Sequence, residues 1–228
     1  MKKLLATFLF ILLAAAAVPA LYADSIEAVT KSAEQGDKAS QFSLGQRYEA
    51  GKGGVKRDLG AAAAWYRKAA LQGHVKAQTN LGNLYRAGRG VEKDYGEAMR
   101  WYRMAAEQGD NKARINIAMM YARGEGVDKD EAEGLKWLEE AAGEGDTQAM
   151  VQLGILYGAG KGAEKNDAMS TEWFRLGAAK GDRIAQHNPG FSYYTGKGIK
   201  KNYSESVKWH RKAADHGHKG SREALDSM

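Results

Sequence analysis

Five tryptophans, Trp65, Trp101, Trp137, Trp173 and Trp209, follow one another at a constant step of 36 residues. A fixed period of this length is the mark of a repeat array, in which one small supersecondary unit recurs and buries its apolar face against its neighbours. Other positions keep the same register. Tyr48, Tyr85, Tyr121, Tyr157 and Tyr193 form a second column, with one extra residue absorbed in the Gly51-Lys52-Gly53-Gly54 loop. Leu44, Leu81, Ile117, Leu153, Pro189 and Leu225 form a third, flanked by the small residues Gly45, Gly82, Ala118, Gly154 and Gly190.

Each unit reads as two helices. Helix A carries the Leu-Gly-x-x-Tyr segment, with its apolar residues four apart on one face. A glycine turn follows, as in Gly88-Arg89-Gly90 and Gly160-Lys161-Gly162. Helix B opens at Asp58, Asp94, Asp130, Asn166 or Asn202, all good N-cap residues. Glu97, Glu133 and Glu205 stand three residues later and predict capping boxes. Helix B then carries the tryptophan and a pair of small residues, and ends at Gly73, Gly109, Gly145, Gly181 or Gly217. The tryptophan and tyrosine columns are the expected repeat core. The 28 glycines against 2 prolines fit helices joined by glycine turns.

The segments divide as 1–23, 24–37, five units (38–73, 74–109, 110–145, 146–181, 182–218) and 219–228. The first reads as a signal peptide: a basic Met1-Lys2-Lys3, an apolar run Leu4 to Val18, and cleavage after Ala20 or Ala23. A retained anchor is the alternative, for which the run is short against the ~20 residues of a spanning helix. The second is a capping helix, and the last is a partial sixth unit that covers the other end. There is no cysteine, so packing alone holds the fold. The formal charge of +6 falls to +4 without Lys2 and Lys3, too small to argue for nucleic acid.

The run Ala77-x3-Leu81-Gly82-x2-Tyr85-x2-Gly88-x-Gly90-Val91-x2-Asp94-x3-Ala98-x2-Trp101-x3-Ala105-Ala106-x2-Gly109 resembles the Sel-one-like repeat (SLR), a relative of the tetratricopeptide repeat. The resemblance recurs five times over residues 38 to 218. It implies an all-α fold, a right-handed α/α superhelical solenoid of five 36-residue helix-pair repeats with a concave surface. It also implies an adaptor, scaffold or regulator that binds another protein, and exported relatives point to a periplasmic or secreted protein with a partner in the cell envelope. One departure stands out. Pro189 replaces leucine inside the fifth helix A, and predicts a helix that starts late, at Pro189, or one that kinks.

Catalytic chemistry finds no footing. The Gly-x-Gly turns follow no strand, so they do not read as phosphate loops. No serine stands in a Ser-x-x-Lys arrangement. No catalytic residue, cofactor or metal site is expected, and His210, His216 and His218 read as a core residue, a last-turn residue and a helix cap. Two rows on helix A are the candidate partner-binding residues. One is polar throughout: Ser43, Asn80, Asn116, Gln152 and Asn188. Amides both donate and accept hydrogen bonds, which suits an extended backbone, although simple solvation of helix A explains them equally. The other row, Gln46, Asn83, Met119, Ile155 and Phe191, turns apolar toward the C-terminal half. A glycan binder, an inhibitor of a cell-wall lytic enzyme and, more remotely, a β-lactamase-like hydrolase are the alternatives. An acidic stretch from Asp128 to Glu144 also offers a steering surface.

Overall fold

The computed structural model describes residues 25–228; the expected leader lies outside the described residues. Twelve α-helices and no strand are present among them. Two compact units divide the chain, one ending at Asp110 and the other running from Asn111 to Met228.

The first unit holds α1 (Ile26–Glu34), α2 (Lys38–Ala50), α3 (Leu59–Leu71), α4 (Val75–Ala87) and α5 (Tyr95–Glu107). The second holds α6 (Asn111–Arg123), α7 (Glu131–Gly143), α8 (Thr147–Ala159), α9 (Asp167–Ala179), α10 (Arg183–Thr195), α11 (Tyr203–Asp215) and α12 (Lys219–Asp226). Inside each unit every helix packs chiefly on its predecessor and successor in sequence. Helices α2, α4, α6, α8 and α10 are the A helices, and α3, α5, α7, α9 and α11 their B partners. The short α1 lies on α2, and α12 on α11.

Side-chain oxygens cap the B helices at their starts: Asp58, Asp94, Asp130, Asn166 and Asn202 each accept the backbone N–H three residues on, at 2.9–3.1 Å. The reciprocal half of the capping box does not form. The N-cap N–H groups of Asp94, Asp130 and Asn202 donate instead to the carbonyls of Tyr85, Tyr121 and Tyr193, at 2.9–3.0 Å. Their donors are spent, so Glu97, Glu133 and Glu205 turn to Arg100, Lys136 and Lys208. The tyrosine column thus fastens the loop by its backbone in all five repeats, since Asp58 and Asn166 likewise donate to Tyr48 and Tyr157.

The turn glycines do two different jobs. Gly160 ends α8 in the left-handed conformation, φ 68°, which its missing Cβ makes inexpensive. Gly162, φ 76°, also leaves no room for a side chain: a Cβ there would run into the backbone of Glu131, at the start of α7. The second glycine therefore brings a loop against the previous repeat.

Pro189 neither delays nor splits its helix. α10 is continuous from Arg183 to Thr195, and Asp182 caps it by accepting the Ala185 N–H at 2.8 Å. Burial of Pro189 in the leucine column holds the ring in a helix that locally disfavours it.

Candidate functional site

The tryptophan column is not the deepest part of the core. Only Trp101 of the tryptophan column is fully buried; Trp65, Trp137, Trp173 and Trp209 are half-buried. The residue one step later is the deep one: Tyr66, Tyr102, Leu138, Phe174 and His210 are all buried. Two neighbours on a helix point about 100° apart, so only one of them can face the A helix squarely. The small residue of helix A is the seat for that side chain. A Cβ on Gly45 or Gly82 would stand 2.6 Å from the Tyr66 or Tyr102 ring, and one on Gly154 or Gly190 would stand 2.9 Å from Phe174 or His210. Where the deep residue is Leu138, the seat is Ala118, as a branched aliphatic chain leaves space that a ring does not.

The tyrosine column, Tyr48, Tyr85, Tyr121, Tyr157 and Tyr193, is half-buried along its length. The Tyr157 hydroxyl donates to Glu139 at 2.6 Å, which pushes its pKa up to about 12. Burial, and then the Glu49 carboxylate at 2.6 Å, raises that of Tyr66 further.

Of the candidate partner-binding residues, Asn80 is half-buried in the first unit, beside the Tyr66 hydroxyl. Its neighbour in the other row, Asn83, accepts the Tyr102 hydroxyl at 2.7 Å, so polarity there serves the fold. The second unit gathers the rest. Met119 and Gln152 line one cleft of about 390 Å³, with Arg123, Glu131 and Lys161. Ile155, Asn188 and Phe191 line another of about 310 Å³, with Asp167 and Lys197. The two are the same cleft one repeat apart: Met119 and Ile155, Gln152 and Asn188, Lys161 and Lys197, Glu131 and Asp167 each differ by one period. Asn116 shares the face of Met119 three residues on and is half-buried. Ile155 and Phe191 are 54% and 51% exposed, an unusual amount for large apolar side chains in adjacent repeats. Asn188 spends one amide proton on the Ile184 carbonyl at 3.1 Å and lines the cleft.

The acidic stretch is less of a patch than its composition suggests. Glu131 pairs with Lys129 at 2.8 Å, Glu133 with Lys136 at 3.0 Å and Glu140 with Arg114 at 3.7 Å.

Polar residues inside the stack escaped sequence reasoning. Gln41 donates to the Ala33 carbonyl at 3.0 Å and accepts from Gln72 at 2.8 Å; Gln78 repeats this with Ala70 and Gln108. In the last repeat His216 takes the place of that second glutamine, 2.6 Å from Gln186. The partners are about thirty residues apart, and the only trace in the sequence is the shared column. Among the described residues no three histidine, aspartate or glutamate side chains are placed to hold a metal ion. None of the described helices is long and apolar enough to cross a membrane.

Stacked helix pairs, a repeating deep-residue seat and repeating clefts define an α-helical repeat protein. The Sel1 repeat model matches residues 38–74, 75–110, 111–146, 147–182 and 183–218, and the chain belongs to the Sel1 repeat family, whose members are commonly protein–protein interaction scaffolds. Among solved structures it is similar to a protective antigen present in uropathogenic Escherichia coli strains displaying an SLR fold, at 36% identity and TM-score 0.81. That match covers 88% of this chain and 43% of the antigen, so the chain spans less than half of that relative. A Sel1 repeat protein from Oxalobacter formigenes is 35% identical, with TM-score 0.73, over 83% of this chain and 78% of its own. A Sel1 repeat protein from Klebsiella pneumoniae, at 24% identity and TM-score 0.53, shares the fold over 87% of this chain and 96% of its own. No curated protein matches the chain.

Proposed function

We propose that this protein is an exported, non-catalytic scaffold that seats a segment of a partner protein on the A-helix face of its second unit. The observation that carries the reading is the recurrence of one cleft, with exposed apolar residues at Ile155 and Phe191 beside the amides Gln152 and Asn188. Removing apolar side chains from water favours binding by about 25 cal/mol per Å² before the ordering cost of association is subtracted, and the amides fix the register of the guest backbone. Export is supported by the basic start and apolar run of residues 1–18, and makes an envelope protein the expected guest.

The test is site-specific photocrosslinking in living cells from Ile155 and Phe191, with the exposed Lys136 as the comparison site. A discrete adduct from both cleft positions, lost in Ile155→Asp, is the expected result. The same adducts from Lys136, or none from the cleft, would refute the assignment.

A second reading draws on exposed aromatics. Tyr194 and Tyr203 stand edge to face, ring centres 5.5 Å apart, and both are exposed along with Phe191. Such rings suit the apolar faces of sugars. Co-sedimentation with purified sacculi that disappears in Tyr194→Ala would favour a cell-wall glycan as the ligand.

A further inference from the structure

The last repeat holds three imidazoles in contact. His187 of α10 stacks on His218, ring centres 4.4 Å apart and planes at 20°, and lies 5.2 Å from His210 of α11. Ser221, the one fully buried residue of α12, sits among them: its Oγ is 2.9 Å from His187 Nδ1 and 3.3 Å from His210 Nδ1. A hydroxyl has one proton, so it donates to one of these nitrogens and accepts from the other. His218 is the N-cap of α12, and its Nδ1 accepts the Ser221 backbone N–H at 3.1 Å.

We propose that His187, His210, His218 and Ser221 form an acid-sensitive latch that holds α12 against α10 and α11 at neutral pH and releases it on acidification.

The contacts of Ser221 fail together when protons arrive at His187 and His210. With both His187 and His210 protonated, the serine faces two donors and keeps a proton with no acceptor. The rings also repel one another at contact distance. The surroundings offer little to absorb the charge. The cleft beside His187 and His218 is lined by Lys180 from the end of α9, by Asp182 and Arg183 at the start of α10, and by Thr147 of α8. Asp182 is committed to capping α10 through the Ala185 N–H. Burial, then His218 and His210, hold His187 below its ordinary value, and burial, then His218, does the same to His210. Lowered folded values mean that the released state binds protons more readily. Stability of the docked helix is therefore complete above the ordinary imidazole value of 6.5 and falls as pH drops below it.

Repeat one supplies an internal control. Phe42 stacks on the N-cap His74 at 4.3 Å and lies 5.7 Å from Tyr66, the arrangement of His187, His218 and His210 with two rings that do not take up protons in this range. The experiment follows amide hydrogen exchange of residues 219–226 in the full chain from pH 7.5 to 4.5, corrected for intrinsic rates and referenced to α8. The opening constant of α12 should rise by up to about tenfold per pH unit for each imidazole protonated only on release. His187→Phe with His210→Phe, which copies rings already accommodated at these columns, should remove most of this rise while raising the opening constant at pH 7.5, and Ser221→Ala should raise it there as well. A flat wild-type profile overturns the proposal, as does an unchanged acid response in the double variant. Circular dichroism at pH 7.5 verifies that the variant is folded; if it is not, His187→Phe alone must halve the logarithmic slope.

Discussion

Gly154 and Phe174 allow the seat principle to be tested with a change of sign. A Cβ at Gly154 would stand 2.9 Å from three atoms of the Phe174 ring, which is buried and flanked by the packed α8 and α9. Overpacking of this kind costs about 1–3 kcal/mol, while alanine in place of a helical glycine returns about 1 kcal/mol. Gly154→Ala is therefore expected to destabilise by about 1 kcal/mol net. Phe174→Leu alone should cost about 1–2 kcal/mol, chiefly through the void left above the glycine. In the Phe174→Leu background the clash disappears, because the pair then copies Ala118 and Leu138, and Gly154→Ala should stabilise by about 1 kcal/mol. The coupling is thus about 2 kcal/mol in a double-mutant cycle. Urea-unfolding midpoints at constant m-value measure it. If alanine at 154 destabilises equally with phenylalanine and with leucine at 174, the ring does not dictate the residue beneath it and the seat reading is wrong.

Three further outcomes follow from the geometry. Pro189→Leu should restore the missing backbone hydrogen bond in the buried centre of α10 and raise the thermal midpoint by several degrees; an unchanged or lower midpoint would show that the proline ring is better accommodated than its chemistry suggests. His74 caps α4 through Nδ1 at 3.2 Å, and burial lowers its pKa, so its contribution is intact above 6.5 and is lost as pH falls below that value; His74→Asp, the cap used at Asp37 and Asp182, should flatten the melting temperature between pH 6.5 and 5, and a parallel shift at all pH values would contradict this. Removing the acceptor in Glu139→Ala should bring the Tyr157 pKa down from about 12 toward the ordinary tyrosine value, visible as one extra tyrosine titrating early in an absorbance titration.

Periodicity alone determined the helix pairs, their glycine turns and their family. Trp65 to Trp209 and Asp58 to Asn202 recur because each repeat must bury the same face and satisfy the same helix start, and local chemistry suffices for both. It could not rank Trp65 against Tyr66. Both are large and adjacent, and the angle at which α2 lies on α3 selects which one faces Gly45. Nor could it foresee that Glu97 would find no donor at its own cap, since the competing Tyr85 carbonyl belongs to the previous helix. The apolar row at Met119, Ile155 and Phe191 was legible, but its division into clefts was not, because each cleft is walled by α-helices from two repeats. The contact of His187, His210 and His218 was decided only by tertiary packing. Residues 23 and 31 positions apart along the chain meet because both helices of the last repeat and the start of α12 converge, and no local pattern encodes that meeting.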